Sequence, residues 1–469
     1  MRLTKPIKRI IVFAGLALLA GAIFLAYPTS SSSQHRRGIA EKTYPGFNLI
    51  LISVDTLRAD ELGTYGSKHQ SSPSIDAFAN EAIVFENCIA QAPATTASHS
   101  SIFTSLYPSR HGVWSAKYRL DDATTQLGDV LSEKGYETGA FTYGVKVARK
   151  RNFHGFDVFK HVVDRPDFTR ALGYSPEQFE SMLRWTRDHS KEPFFLFWHT
   201  KKTHAPYTPS AEFDVFKDKD YSGPIDVYPH FPLTTKVNKK HGAYFESMMD
   251  QLTAADFEYV RDKYRGEVLE LDALFARFMS FLKEQDLLDN TIIVFTSDHG
   301  ESFGDREHRQ KVGHGILYRE VLRVPLLIRI PGVKHARLDT LVESIDIMPT
   351  VLDLLALQKP AGIDGSNLFV KDMASATEHH WAYSETRDRL ALERKDHTLL
   401  YFFESDEFEL YNIRDDPHQR RNLIAQGIPE QALFTKEMLA RRGGENRSAP
   451  SLVVDDHMVE QLEALGYLQ

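Results

Sequence analysis

Several places in this sequence hold side chains that could act together on an ester. The apolar run Phe47–Val54 ends at Asp55, and a second run, Pro193–His199, leads through Thr200 to His204 and Pro209. A third, Asn290–Ser297, delivers Asp298, His299, Gly300 and Glu301. Asp298 and His299 offer an oxygen and a nitrogen donor side by side, and Gly300 lets the backbone turn sharply after them. Two carboxylates and an imidazole suit Mn²⁺, Zn²⁺ or Mg²⁺, whereas the imidazole rules out an all-oxygen Ca²⁺ shell. A fourth stretch, Pro93–Gly112, opens with hydroxyl-rich residues and runs to Tyr107-Pro108. Thr95 or Thr96 is a natural helix N-cap there. A hydroxyl at that point sits at the positive end of the helix dipole, where an anion binds, and suits a nucleophile attacking a phosphate or sulfate ester. The same local patterns also fit an ordinary capped helix, and for Asp55 a turn cap.

The elements that must position these groups are strands ending at one edge of a sheet. The runs before Asp55, His199 and Asp298 are short, apolar and bounded by turn residues, as buried strands are. Ligands in open α/β sheets bind just beyond the C-terminal ends of strands. Between the runs, Pro73–Phe85 reads as a helix burying Ile75, Phe78, Ala79 and Ile83, Thr125–Lys134 as a short helix, and Tyr136–Tyr143 as a strand. Phe257–Leu282 is a long helix whose apolar residues recur at helical spacing, and it carries no site. Lys217–His241 has no period and reads as a surface insertion over the site. Past His379 come the short strand candidates His397–Phe403 and Phe408–Ile413.

With 469 residues the chain can bury a large core, and a net charge of −8 excludes a nucleic-acid partner recognised through a basic face. Cys88 is the only cysteine, so neither an intramolecular disulfide nor a cysteine zinc site is available. Residues 1–9 are a basic flank and residues 10–27 an apolar segment just long enough to span a bilayer, a transmembrane anchor or else a cleavable signal peptide. The flank stays cytoplasmic, so an anchored chain puts its catalytic part on the extracytoplasmic side, periplasmic or extracellular; a cleaved one is secreted. Residues 28–45 form a linker, 46–375 a main domain and 376–469 a C-terminal subdomain and tail.

The stretch around Thr104–Pro108 resembles the sulfatase family of the alkaline phosphatase superfamily, in which Cys-x-Pro-x-Arg precedes Thr-Gly-x-Tyr-Pro. Counting back puts Thr95 in the nucleophile slot, with Ala97 where Pro is usual and His99 where Arg is usual. The chain is thus similar to a threonine-bearing branch. Other segments extend the likeness: Asp55-Thr56-Leu57-Arg58 (with Thr56 where a second Asp is frequent), His199–Tyr207, Asp298-His299-Gly300, the Gly-flanked His314, and the Glu409–Pro417 region. The resemblance implies an α/β, alkaline-phosphatase-like α/β/α sandwich with a large, mixed, mostly parallel sheet and a small C-terminal α+β subdomain. It implies one dominant metal ion held by Asp55, Thr95, Asp298 and His299, since no carboxylate stands beside His199 to complete a second site. It implies substrate contacts from His204, His314 and Lys311, and an orienting role for His99 in place of the missing Arg. Family sulfatases oxidise Cys or Ser to formylglycine; threonine would give a ketone, so no formylglycine is expected and Thr95 acts as it stands.

The expectation is a membrane-anchored, metal-dependent hydrolase of sulfate or phosphate esters, with His99, His204 and His314 joining Thr95 in catalysis. Its partners are an anionic ester, on a glycan or lipid, and the membrane. A transferase moving a phospho-substituent onto a cell-surface glycan or lipid is the alternative. A non-catalytic binder of anionic glycans is a third, disfavoured because a binder has no need of the full ligand set.

Overall fold

The structure, a computed structural model, describes residues 39, 42–144, 152–162, 173–227, 251–306, 312–369, 381–394, 396–427, 431, 433–434 and 436–438. The expected flank and membrane segment (1–27), Lys311, residues 228–241 of the expected insertion and the 375/376 boundary lie outside these residues. Among the described residues no helix is long and apolar enough to cross a membrane.

β1 (Asn48–Val54) is buried along its whole length, as a central strand covered on both faces must be. Its residues alternate between two cores. Ile50, Ile52 and Val54 join one, and Leu49 and Leu51 the other. β2 (Ile83–Ile89), β3 (Glu137–Tyr143), β4 (Val158–Val162), β5 (Phe194–Thr200), β6 (Thr291–Ser297), β9 (Arg323–Arg329) and β10 (Ala336–Glu343) complete an eight-stranded sheet in the order β10-β2-β9-β6-β1-β5-β3-β4. β9 is antiparallel to both neighbours and the other pairs are parallel, so the sheet is mixed and mostly parallel. A small ribbon, β7 (Ser302–Phe303) with β8 (Val312–Gly313), projects beyond β6.

Helices cover both faces. α1 (Pro73–Ala79), α5 (Pro176–Asp188) and the long α6 (Ala254–Glu284) pack on the first core through Ile75, Phe179, Met182, Val260 and Phe278. α2 (Thr95–Thr104), α4 (Leu127–Glu133) and α8 (Ile347–Leu354) pack on the second through Ile102, Phe103, Leu127 and Val351. Short α3 (Pro108–His111) follows α2, and α7 (Arg319–Leu322) precedes β9. This is the α/β/α sandwich expected.

One expected element divides. The helix from Pro73 stops at Ala79, and Ile83 opens β2 and packs into the opposite core from Ile75 and Phe78. Three consecutive bulky residues, Ile83-Val84-Phe85, two of them β-branched, favour extended backbone over a further helical turn.

The C-terminal strands β11 (Ala382–Glu385), β12 (Arg389–Arg394), β13 (His397–Phe402) and β14 (Glu407–Asn412) form an antiparallel sheet in that order. One face packs Leu392, Leu399 and Leu410 against Phe434 and Met438, which have helical backbone. The other packs Ala391, Leu400 and Tyr411 against Ile89, Tyr318 and Leu322 of the main domain.

Candidate active site

Strand periodicity explains why the groups meet. On β1 the residues facing α2 are Leu49 and Leu51, then Ser53, and the alternation runs on to Asp55. On β5 the same face carries Phe195 and Phe197, then His199, which lies in register with Ser53. On β6 it carries Ile292 and Val294, and the alternation runs on to Asp298. All three chemistry-bearing residues therefore reach the C-terminal edge of adjacent strands beneath the start of α2, which supplies Thr95. Cross-links hold the strand ends together: Ser297 Oγ donates to Val54 O (2.6 Å), Thr203 Oγ1 to Asp55 O (2.6 Å) and Ser98 Oγ to Asp298 O (2.6 Å).

Thr95 Oγ1 lies 3.4 Å from Asp55 Oδ1, and His299 Nε2 lies 3.8 Å from the same oxygen. His299 Nε2 is 3.5 Å from Asp298 Oδ2. The amides of Thr56 (3.2 Å) and His299 (2.9 Å) both donate to Asp298 Oδ1, which leaves Oδ2 turned inward. His299 Nδ1 donates to Gly300 O (3.0 Å), so Nε2 carries the lone pair. Asp55 Oδ2, Asp298 Oδ2 and His299 Nε2 are all buried with no hydrogen-bond partner. Buried polar atoms are ordinarily satisfied, so orphans on three neighbouring ligating residues fit a cation that supplies the missing partner. One donor atom each from Asp55, Asp298 and His299 lie within 4.8 Å of one another, a spacing a single divalent ion can bridge. Gly300 is needed behind them, since a Cβ there would lie 2.2 Å from Glu320 O.

Residues 47–357, which contain every one of these groups, match the family described as Sulfatase. The chain belongs to the sulfatase family. Residues 309–441 also match the family described as N-sulphoglucosamine sulphohydrolase, C-terminal. An arylsulfatase of Clostridium perfringens is 27% identical to this sulfatase over 471 residues, covering 84% of this chain and 94% of the relative. An N-acetylglucosamine-6-O-sulfatase of Bacteroides thetaiotaomicron is 22% identical over 484 residues, covering 84% and 85%. Among solved structures, the phosphonate monoester hydrolase of Agrobacterium radiobacter shares the fold with a TM-score of 0.68 at 19% identity, over 87% of this chain and 97% of that one.

The electrostatics of the sulfatase site follow from burial. Burial and the neighbouring Asp298 push Asp55 up to about 7, and burial pushes Asp298 up to about 7. Burial pulls His299 down to about 4. Two buried carboxylates that resist ionisation side by side are what a cation would relieve. The His314 ring lies tilted at 39° with its centroid 4.4 Å from that of His299, and its Nδ1 is 3.3 Å from Glu301 Oε1. Burial lowers its pKa, but the carboxylates of Glu301, Asp55 and Asp298 together outweigh that and the net shift is upward. His204, 5.4 Å from the His314 ring, is instead held well below its usual range by burial and by Lys201.

The structure brings Asp55, Thr95, Asp298, His299, His314 and His204 into one chain of contacts, and His99 packs against the same cluster with Nδ1 3.8 Å from Asp298 Oδ2. His99 is 1% exposed, with Nδ1 on Thr95 O (2.8 Å) and Nε2 on Ser53 Oγ (2.8 Å). It holds the backbone carbonyl of Thr95 and lines a pocket together with Thr95, Thr96 and His199. Thr95 is also one step off its expected position: Ala94 is the N-cap and Thr95 the first helical residue. Its hydroxyl is turned to Asp55 and caps nothing. Sequence reasoning passed over Glu301 and Lys201. Glu301 was signalled by its place directly after His299-Gly300 at a strand end. Lys201, 5% exposed just past β5 and electrostatically linked to Asp55 and His204, had no motif to mark it.

Proposed function

We propose that this sulfatase-family enzyme cleaves phosphate or sulfate esters with the unmodified Thr95 hydroxyl as nucleophile. Asp55, Thr95, Asp298 and His299 would hold one divalent cation. The observation that carries this is the position of Thr95 Oγ1, 3.4 Å from Asp55 at the rim of a buried cluster of unpartnered donors. A divalent ion bound there would lower the pKa of the Thr95 hydroxyl and offset charge on the ester oxygens; the donor set suits Mn²⁺, Zn²⁺ or Mg²⁺ better than Ca²⁺.

The chain's own groups divide the remaining work. Thr95 Oγ1 forms the bond to phosphorus or sulfur in line with the departing oxygen. His314, whose charged form is favoured by Glu301 and by Asp55 and Asp298, gives that oxygen its proton. His204 Nδ1 bonds Ala205 O (2.8 Å), so its neutral Nε2 is suited to take a proton from the water that later frees Thr95. His99 acts by positioning the Thr95 backbone. Lys201, and Lys311 by the family pattern, would hold the anionic end of the substrate.

Relatives named as an arylsulfatase, glycan sulfatases and phosphonate monoester hydrolases support an anionic ester as substrate. Threonine cannot become formylglycine, which favours direct displacement at phosphorus. Residues 10–27 would anchor the domain outside the cytoplasm, beside glycan and lipid esters of the cell surface.

Intact-mass analysis after a slow phosphate ester tests the nucleophile. The expected adduct is one phosphoryl group that maps to Thr95; turnover with the adduct elsewhere, or with Thr95 oxidised, overturns the assignment. Adding an acceptor alcohol separates hydrolysis from transfer, since a transferase gives the alkyl ester as its main product. Membrane fractionation with external protease tests the anchor.

A further inference from the structure

Resting on the metal centre proposed above, we infer that His199 is an additional protein ligand of the same cation, so that two imidazoles and two carboxylates surround it. His199 stands at the end of β5 and is 6% exposed. Its Nε2 is buried with no hydrogen-bond partner and lies 3.9 Å from Asp55 Oδ2, itself an orphan. The backbone of Tyr143 bonds the ring, and with Nε2 unpartnered this engages Nδ1 and leaves the Nε2 lone pair directed at the carboxylate. Nitrogen atoms of His199 and His99 and an oxygen of Asp298 lie within 4.8 Å of one another. His99 is the weaker candidate of the two, because Thr95 O and Ser53 Oγ already occupy its ring nitrogens.

Asp55 would then be shared between two directions, Oδ1 towards Thr95 and His299, and Oδ2 towards His199. Thr56 explains why another ligand is needed. It stands in the position where a second aspartate would add an oxygen, yet its hydroxyl is committed to Thr203 O (2.7 Å) and its amide to Asp298 (3.2 Å). A nitrogen from β5 replaces the oxygen lost after β1. Two imidazoles shift the preference further towards Zn²⁺ and other late first-row ions and away from Mg²⁺.

The test uses the full-length protein loaded with Cu²⁺ as a paramagnetic probe and pulsed EPR, which counts coordinated imidazoles through their remote nitrogens. Two imidazoles are expected in the wild type, and one in either His199→Ala or His299→Ala. A His99→Ala variant should keep both. Competition with a chelator should show Zn²⁺ held at least tenfold more weakly by His199→Ala. The inference is overturned if His199→Ala keeps the wild-type nitrogen count, or if the second imidazole vanishes in His99→Ala. If Asp298→Ala and His299→Ala also bind Cu²⁺ and Zn²⁺ as the wild type does, the whole metal centre falls. If only His199→Ala is silent, the centre stands without this ligand.

Discussion

At the scale of single residues, the proposed reaction rests on one hydroxyl and one proton donor. Thr95→Ala should lower turnover by about 10³-fold or more while circular dichroism stays unchanged, whereas Thr95→Ser should retain activity within about tenfold. Equal loss in both would mean that the hydroxyl does not attack. His314 is read as the acid, raised by Glu301, Asp55 and Asp298. His314→Ala should therefore cost about 10²–10⁴-fold with an alkyl ester, whose leaving oxygen needs a proton, and far less with a nitrophenyl ester, whose leaving group departs as an anion. A penalty independent of leaving group would assign His314 to binding. Asp55, Thr95, Asp298 and His299 were visible in the sequence, since each stands at an abrupt change from an apolar run or a turn to a ligating side chain. Lys201 was not, and Glu301 was marked only by its place after His299-Gly300. Their importance lies in which other charges they face, and that is settled only when β5 and β6 are brought to either side of β1.

At the scale of elements, α2 matters most, and a buried histidine fastens it. His111, at the end of α3, accepts from Val113 N at Nδ1 (3.0 Å) and meets Ser101 Oγ of α2 at Nε2 (3.0 Å). Burial pulls it down to about 3 from an ordinary value of 6.5, because protonation would break the bond to Val113 and charge the interior. Between those pH values the unfolded chain binds the extra proton. The stabilisation is thus complete above pH 6.5 and is lost as pH falls towards about 3, at up to about 1.4 kcal/mol per pH unit. His111→Gln should flatten the melting temperature between those limits by about one proton's worth of slope; an unchanged slope would show that this pairing does not hold α2. Elements were legible where burial is complete. The runs ending at Asp55 and Asp298 are buried throughout and mostly apolar because both faces are covered. β10 and β12 were missed because Arg337, Asp339, Arg389 and Glu393 interrupt their patterns. Three of these charges are paired in the fold, Arg389 with the adjacent Asp388 (3.0 Å), Glu393 with Arg319 (2.6 Å) and Arg337 with Glu86 (2.6 Å), and the last two partners, distant along the chain, leave no local trace in sequence.

At the scale of the whole molecule, the C-terminal sheet is part of the body rather than an appendage. Ala391, Leu400 and Tyr411 cover Ile89, Tyr318 and Leu322, and Arg306 pairs with Glu320 (2.8 Å) while donating to His418 O (3.1 Å). Truncation after Phe369 should expose that apolar patch and give an aggregating product, and calorimetry of the full chain should show one transition. A soluble, active truncated enzyme would refute this. The residues read as ligands are far apart along the chain: Asp55 and Asp298 come together only once β1 and β6 are side by side. A cation bound there would therefore find its seat last. During refolding, uptake of Zn²⁺ should lag behind the recovery of helical signal and rise together with the final burial of aromatic residues. The ion would then certify that the chain has been finished, and a cell that supplies it only beyond the membrane would keep half-made copies inert until they arrive.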